Sequence, residues 1–416
     1  MRSTLALALA AASLAVGAPP AAAAPAPAVT VEEARLDRAA PQEILRRSGF
    51  DTLGPEFAEA LARARTIGQA EHTVVRYGSG LWRQAVDRAQ GRGPARGDLS
   101  RDDDRPLYWA RLALTRELRG WQPGFGVTEE GRARLMDRLE RSSRGQDSIR
   151  YPAGKGVKGV KRILLTGFDP FTLDRDVRIS NPSGATALAL DGTWLRTADG
   201  SLARVETAVF PVRWEDFADG TVERTLRPHL PEVDLFTTVS QGRPGRFDIE
   251  RTNGAWRGGF PDNENLSRTG TVPVAPDPAD GQGAQPQWTS TTLPYAAITA
   301  AATGRFPVYD NTSVTEVPAG TDTPVVRPAG PTPGSLARSG GGGNYLSNEI
   351  AYRATLLRDR LGLTGLPGGH VHTPVLQFGT ANADPATGTV TDPDFVRNRL
   401  DIIAQVRAIV AVAAGS

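Results

Sequence analysis

Three short segments carry side chains that could do covalent chemistry. Gly341-Gly342-Gly343-Asn344-Tyr345-Leu346-Ser347-Asn348 runs from a glycine-rich loop into an amphipathic helix. Downstream lies Gly368-Gly369-His370-Val371-His372-Thr373-Pro374, and upstream Phe247-Asp248-Ile249-Glu250-Arg251. A hydroxyl, an imidazole and a carboxylate in these settings could act as nucleophile, base and orienting acid. Ser347 would sit in the first helical turn, where backbone N–H groups and the helix dipole stabilise negative charge on a reacting oxygen. His372 and His370 lie two residues apart in a strand and so project from one face. Glu250, beside Ile249 in another strand, could orient the imidazole. Two other readings stand beside this one. A serine at a helix start is commonly a cap. His370 and His372 could equally be a pair of metal ligands, although no third ligand stands nearby in sequence.

The elements that must hold these groups belong to an alternating pattern that begins at Arg162. Residues 163–167, 205–212, 234–239, 306–309 and 370–377 read as strands. Asn181-Pro182-Ser183 caps a helix through Leu188, and 214–226, 295–303, 345–360 and 394–413 read as further helices. Such alternation implies a layered α/β domain with a largely parallel sheet. Residues 265–288 and 317–339 are rich in Pro, Gly, Thr and Asp, and read as surface loops.

Ahead of this domain, residues 30–145 read as a small helical region rich in Arg, Glu and Ala, with no constellation of chemical groups. His72 stands alone there, and Asp102-Asp103-Asp104 reads as a solvated helix start rather than a cation site. Residues 146–160 read as a linker. Its run Lys155-Gly156-Val157-Lys158 lacks the spacing of a phosphate-binding loop.

The composition is that of a globular protein of 416 residues, 39% hydrophobic and 23% charged, with room for two domains. A net charge of +2 points to neither nucleic acid nor an anionic membrane as partner. Met1-Arg2, the apolar run 5–16 and the small residues 21–24 form the pattern of a signal peptide over 1–24. The expected mature protein is therefore secreted and extracellular. No later stretch approaches about 18 consecutive apolar residues, so no integral membrane segment is expected after cleavage. The absence of cysteine suits export, because an exported thiol can oxidise or mispair.

The motifs in order resemble those of the pyroglutamyl peptidase I (pyrrolidone-carboxylate peptidase) family. They are Thr166-Gly167-Phe168-Asp169-Pro170-Phe171, Asn181-Pro182-Ser183, Phe210-Pro211-Val212 and Ser240-Gln241-Gly242. Ile249-Glu250-Arg251, Pro261-Asp262-Asn263, Thr292-Leu293-Pro294, Gly343-Asn344-Tyr345-Leu346-Ser347-Asn348 and His370-Val371-His372-Thr373-Pro374 follow. The likeness covers residues 161–412 and implies a three-layer, doubly wound α/β fold over 161–416. It also implies cofactor-free removal of an N-terminal pyroglutamyl residue from peptides, with no metal. By position Glu250 matches the family's acid and His372 its base, while Ser347 stands where the family has its nucleophilic cysteine. Phe168 and Phe171 are implied in the pocket for the pyroglutamyl ring, Gln241 as a polar contact, and Tyr345 and Leu346 as further substrate contacts. The arginine that precedes Pro-Asp-Asn in many bacterial members is absent, and Arg257 lies close enough in sequence to substitute. The two long loops and the helical extension could block the tetramer of bacterial members, so the oligomeric state is left open.

Serine cannot pre-form the anion that cysteine can, and must lose its proton to the base during attack. Retained Glu250 and His372 argue that the hydroxyl still works. The expectation is therefore a secreted serine-type peptidase acting on pyroglutamyl peptides. The alternative is a catalytically silent homologue that binds pyroglutamyl or related lactam-ended peptides.

Overall fold

The computed structural model describes residues 28–94, 96–152, 159–277 and 285–416. The expected signal peptide (1–24) and Lys155 and Lys158 of the connector fall outside them. Among the described residues six α-helices come first: α1 (Val31–Ala34), α2 (Ala39–Ser48), α3 (Leu53–Ala62), α4 (Ile67–Ala89), α5 (Arg105–Gly120) and α6 (Glu129–Ser143). The longest, α4, starts where the Thr66 side chain accepts from the Gln69 amide, and it buries Ala70, Val74, Leu81, Trp82, Ala85 and Val86 at helical spacing.

The second part runs β1 (Val160–Phe168), α7 (Pro182–Leu190), β2 (Thr193–Arg196), β3 (Leu202–Phe210), α8 (Trp214–Ala218), α9 (Thr221–Leu226), β4 (Leu235–Gln241) and β5 (Phe247–Glu250). It continues with β6 (Thr252–Gly254), β7 (Trp256–Gly258), β8 (Thr269–Thr271), β9 (Trp288–Ser290), α10 (Tyr295–Ala300), β10 (Val308–Asn311) and β11 (Val314–Val317). Last come β12 (Val325–Arg327), β13 (Leu336–Ser339), α11 (Leu346–Arg360), β14 (Gly368–Thr373) and α12 (Pro393–Gly415).

Seven strands form one sheet in the order β10-β5-β14-β4-β1-β3-β2. Four of its six pairings are parallel, and β14–β5 and β2–β3 are antiparallel. Both faces are covered, as the apolar run of β1 requires. Ile163 and Leu165 join α7, α12 and the N-terminal helices in one core, while Leu164 and Phe168 join α8, α9 and α11 in another. The protein is thus a mixed α/β structure with a mostly parallel sheet, preceded by a helical region.

Three local expectations are corrected. The helix expected over 214–226 is two helices, because Gly220 adopts φ 76° between them. The two long segments are not strand-free: from the first, β8 pairs antiparallel with β7 and β9, at its end, with β6, and from the second, β12 and β13 flank β11. The second segment is organised by Glu316, whose fully buried carboxylate accepts from Arg327 (2.8 Å) and from the Thr332 amide and hydroxyl (2.6 and 2.7 Å). Part of the expected linker is packed as well: Gln146 and Ile149 are buried, and the Gln146 amide donates to the Val209 carbonyl at 3.1 Å.

The acidic run is likewise no solvated helix start. Asp102, Asp103 and Asp104 are all buried where α5 meets the α/β part. Asp102 accepts from Arg399 of α12 (2.5 Å), Asp103 from Arg105 (2.5 Å), and Asp104 from the Asn181 amide (3.0 Å) and the Ser180 hydroxyl. Burial opposes ionisation of Asp103, but Arg105 and Arg399 outweigh it and hold that carboxyl low. Burial, with the adjacent Asp103 charge, pushes Asp104 up to about 7. A carboxyl raised on folding contributes stability that is full below its unfolded value and lost as pH rises through its folded value. The wild type should therefore lose stability relative to Asp104→Asn between about pH 4 and about pH 7, by on the order of 2–4 kcal/mol. Urea unfolding of both proteins across that window checks this, and parallel curves would refute it.

Candidate active site

The chain passes from β1 to β3 on one side and then to β4 on the other, so strand order reverses at the carboxyl ends of β1 and β4. Crevices at such reversals are where ligands bind in open α/β sheets. Here β1 ends at Phe168, β4 at Gln241 and β14 at Thr373, beneath the N-terminus of α11.

His372 and Glu250 meet on adjacent antiparallel strands, with His372 Nδ1 2.7 Å from Glu250 Oε1. Both side chains are buried. The second carboxylate oxygen of Glu250 accepts from Asn311 Nδ2 at 2.7 Å, and the same amide donates to the Gly341 carbonyl at 3.0 Å. Asp248, directly across from His372 in register, is taken up by Arg246 at 2.9 Å and Arg243 at 3.6 Å. Glu250 therefore holds Nδ1, and the other ring nitrogen makes no hydrogen bond among the described residues.

Ser347 is the second residue of α11, and its hydroxyl donates to the Gly342 carbonyl at 3.1 Å. Ser347 and His372 make no hydrogen bond to each other, yet both flank Gly342: a Cβ on that glycine would lie 3.1 Å from His372 Cε1. The neighbouring glycines are required by close approach. A Cβ at Gly341 would stand 2.3 Å from Glu250 Oε2, and one at Gly242 2.6 Å from His372 Cβ. The first backbone bond of α11 runs from Glu349 N–H to the Tyr345 carbonyl, so the N–H groups before it have no acceptor within the helix. No side chain caps this end. Asn348 fixes its position by accepting from the Gly254 amide (2.9 Å) and donating to the Gly254 carbonyl (2.7 Å).

Arg257 does not stand in for the missing arginine. Its guanidinium makes two 2.6 Å hydrogen bonds to the buried Glu349 carboxylate and lies over the Trp214 ring. Its charge is paired with Glu349, whereas the first N–H groups of α11 have no acceptor within the helix.

Phe168, Phe171, Gln241, Tyr345 and Leu346 all line one small pocket together with Ser347, and Asn181, Val212 and Ser240 complete its wall. Phe168 is also part of the core and stacks on Phe217. Phe171 is half-buried and faces Tyr345, whose ring also packs edge-on against Trp214 and Phe260. Gln241 is tethered by accepting from the Leu376 amide at 3.0 Å, which leaves its own N–H groups to a ligand. Phe171 and Gln241 also border a larger cleft of about 430 Å³, bounded by Arg175, Ile179, Val375 and Phe378.

Sequence reading missed Asn311, Asp248 with Arg246, and the exposed Phe260. Asn311 pairs with Glu250 in strand register, which a strand ending at 309 does not reach. His370 is not available as a metal ligand: its Nδ1 lies 2.7 Å from the Thr238 hydroxyl and its Nε2 2.8 Å from the Ser240 hydroxyl. Burial, reinforced by His372, pushes its imidazole well below the ordinary range, so it is neutral.

Fold and site together define a mixed α/β protein with a candidate acid–base pair at the carboxyl edge of its sheet, joined to an N-terminal helical region. Residues 12–140 match a family described as the PA0049 N-terminal domain, and residues 162–280 and 305–377 match one described as the PA0049 C-terminal domain. The chain is 34% identical to the uncharacterized protein PA0049 of Pseudomonas aeruginosa, with 92% of this chain and 88% of that protein covered. The protein belongs to the PA0049 family.

Proposed function

We propose that the protein is a secreted serine-type hydrolase that removes N-terminal pyroglutamyl residues, built on a pyroglutamyl peptidase-like variant of the α/β fold. The observation that carries the reading is the 2.7 Å Glu250–His372 contact, separated by Gly342 from Ser347, which walls a pocket with Phe168, Phe171 and Gln241. Ser347 Oγ attacks the carbonyl carbon that follows the lactam ring, while His372 Nε2 takes the hydroxyl proton. Backbone N–H groups at the start of α11 hold the oxyanion. The tetrahedral intermediate collapses as His372 returns the proton to the departing amine, leaving a pyroglutamyl ester on Ser347. Water, deprotonated by His372, then releases pyroglutamate and restores the serine. The departing peptide extends into the 430 Å³ cleft that shares Phe171 and Gln241 with the pocket.

One observation favours a second reading, a silent homologue that binds lactam-ended peptides. Ser347 gives its hydrogen bond to the Gly342 carbonyl rather than to His372. Catalytic hydrogen bonds often tighten only once substrate is bound, so turnover decides between the two. The protein should hydrolyse a pyroglutamyl–arylamide and be inactivated by a serine-directed phosphonate while ignoring thiol reagents. Binding of pyroglutamyl peptide without cleavage would establish the silent reading instead.

A further inference from the structure

The pocket wall holds a second histidine device that the proposed reaction does not use. β4 and β14 run parallel with His370 opposite Thr238 and His372 opposite Ser240. His370 is fully buried and bridges the two hydroxyls, with Thr238 at Nδ1 and Ser240 at Nε2. A neutral imidazole has one donor nitrogen and one acceptor nitrogen, so the direction of this chain is set at its end. That end is the Gly369 carbonyl, 3.3 Å from Thr238 Oγ1, which can only accept. The threonine proton is directed to it, Nδ1–H donates to Thr238, and bare Nε2 accepts the Ser240 proton. What remains to Ser240 are lone pairs, and Ser240 lines the same pocket as Ser347.

We infer that Ser240, oriented by His370, is a hydrogen-bond acceptor that selects ligands presenting an N–H inside the pocket. The inference rests on the pyroglutamyl reading, in which the lactam N–H is that donor. An apolar pocket rejects an isostere weakly, whereas a buried polar group left unpaired rejects it strongly. A lactone, with ring oxygen in place of N–H, keeps the size of the lactam and sets a lone pair against a lone pair. Ser240 is then a specificity residue and His370 a positioning residue.

The experiment compares pyroglutamyl–arylamide with its ring-lactone analogue, in the full chain and in Ser240→Ala. In parallel, thermal stabilisation of both proteins by the lactam amide and the lactone amide is measured, which does not depend on turnover. The wild type should favour the lactam by about 100-fold or more in kcat/KM, and Ser240→Ala should reduce that ratio to within about tenfold. The ratio is a readout that a merely structural serine would not move. Equal handling of lactam and lactone by the wild type overturns the inference, as does an unchanged ratio in Ser240→Ala. Stabilisation that favours the lactam without any hydrolysis supports the inference and defeats the hydrolase reading. Neither hydrolysis nor stabilisation by either ring overturns both.

Discussion

Ser347→Ala should abolish hydrolysis of a pyroglutamyl–arylamide while leaving the fold untouched. Removal of the nucleophile from a serine–histidine–carboxylate set lowers kcat by on the order of a million-fold. The structural price is small, because the hydroxyl makes one part-buried hydrogen bond, to the Gly342 carbonyl. Loss of one such bond costs about 1 kcal/mol. A steady-state assay and a thermal melt on the same preparation separate the two effects. Residual turnover within tenfold of wild type would remove Ser347 from the reaction, whatever its position.

Glu250→Gln should lower kcat by about 10⁴-fold, again with the fold retained. Asn311 sets this outcome. Its Nδ2 group is directed at both Glu250 Oε2 and the Gly341 carbonyl, so it meets position 250 as a donor. A glutamine there must turn its oxygen to Asn311 and its NH₂ toward His372. Nδ1 of the imidazole must then accept, which forces the proton onto Nε2 and disables the base. Measured kcat and KM should divide the effect cleanly, with kcat falling and KM little changed. A change confined to KM would mean that Glu250 binds ligand and does not orient His372.

The alternation of strands and helices, the sheet's mostly parallel character and the meeting of Glu250 with His372 were all accessible from the residues. Apolar runs and glycine-flanked turns are local signals, and colinear motifs mark which side chains the topology must gather. What escaped depended on partners far away in sequence. Asp102, Asp103 and Asp104 read as solvated because their arginine and amide partners come from as far as Arg399. Arg257 looked available because Glu349, which binds it, lies on another element. Glu316 gave no hint of organising its loop, since a charged residue in a Pro- and Thr-rich stretch is ordinarily exposed. Asn311 could be found only from strand register, which no single sequence displays.

Asp169, in the loop after β1 that also carries Phe171, is held by two buried arginines from the helical region. Arg111 of α5 contacts it at 2.6 Å, and Arg144, just past α6, also binds it. Tyr108 of α5 donates to Glu32 at 2.8 Å, and Glu32 accepts at 2.9 Å from Asn263, whose amide also donates to the Pro170 carbonyl. A chain begun near residue 150 would lack both arginines that pair with Asp169, and the loop carrying Phe171 would lose those contacts. The helical region therefore takes part in holding the loop that frames the pocket. A cut between the two parts would sever the arginine contacts to Asp169 and the Glu32–Asn263 hydrogen bond together.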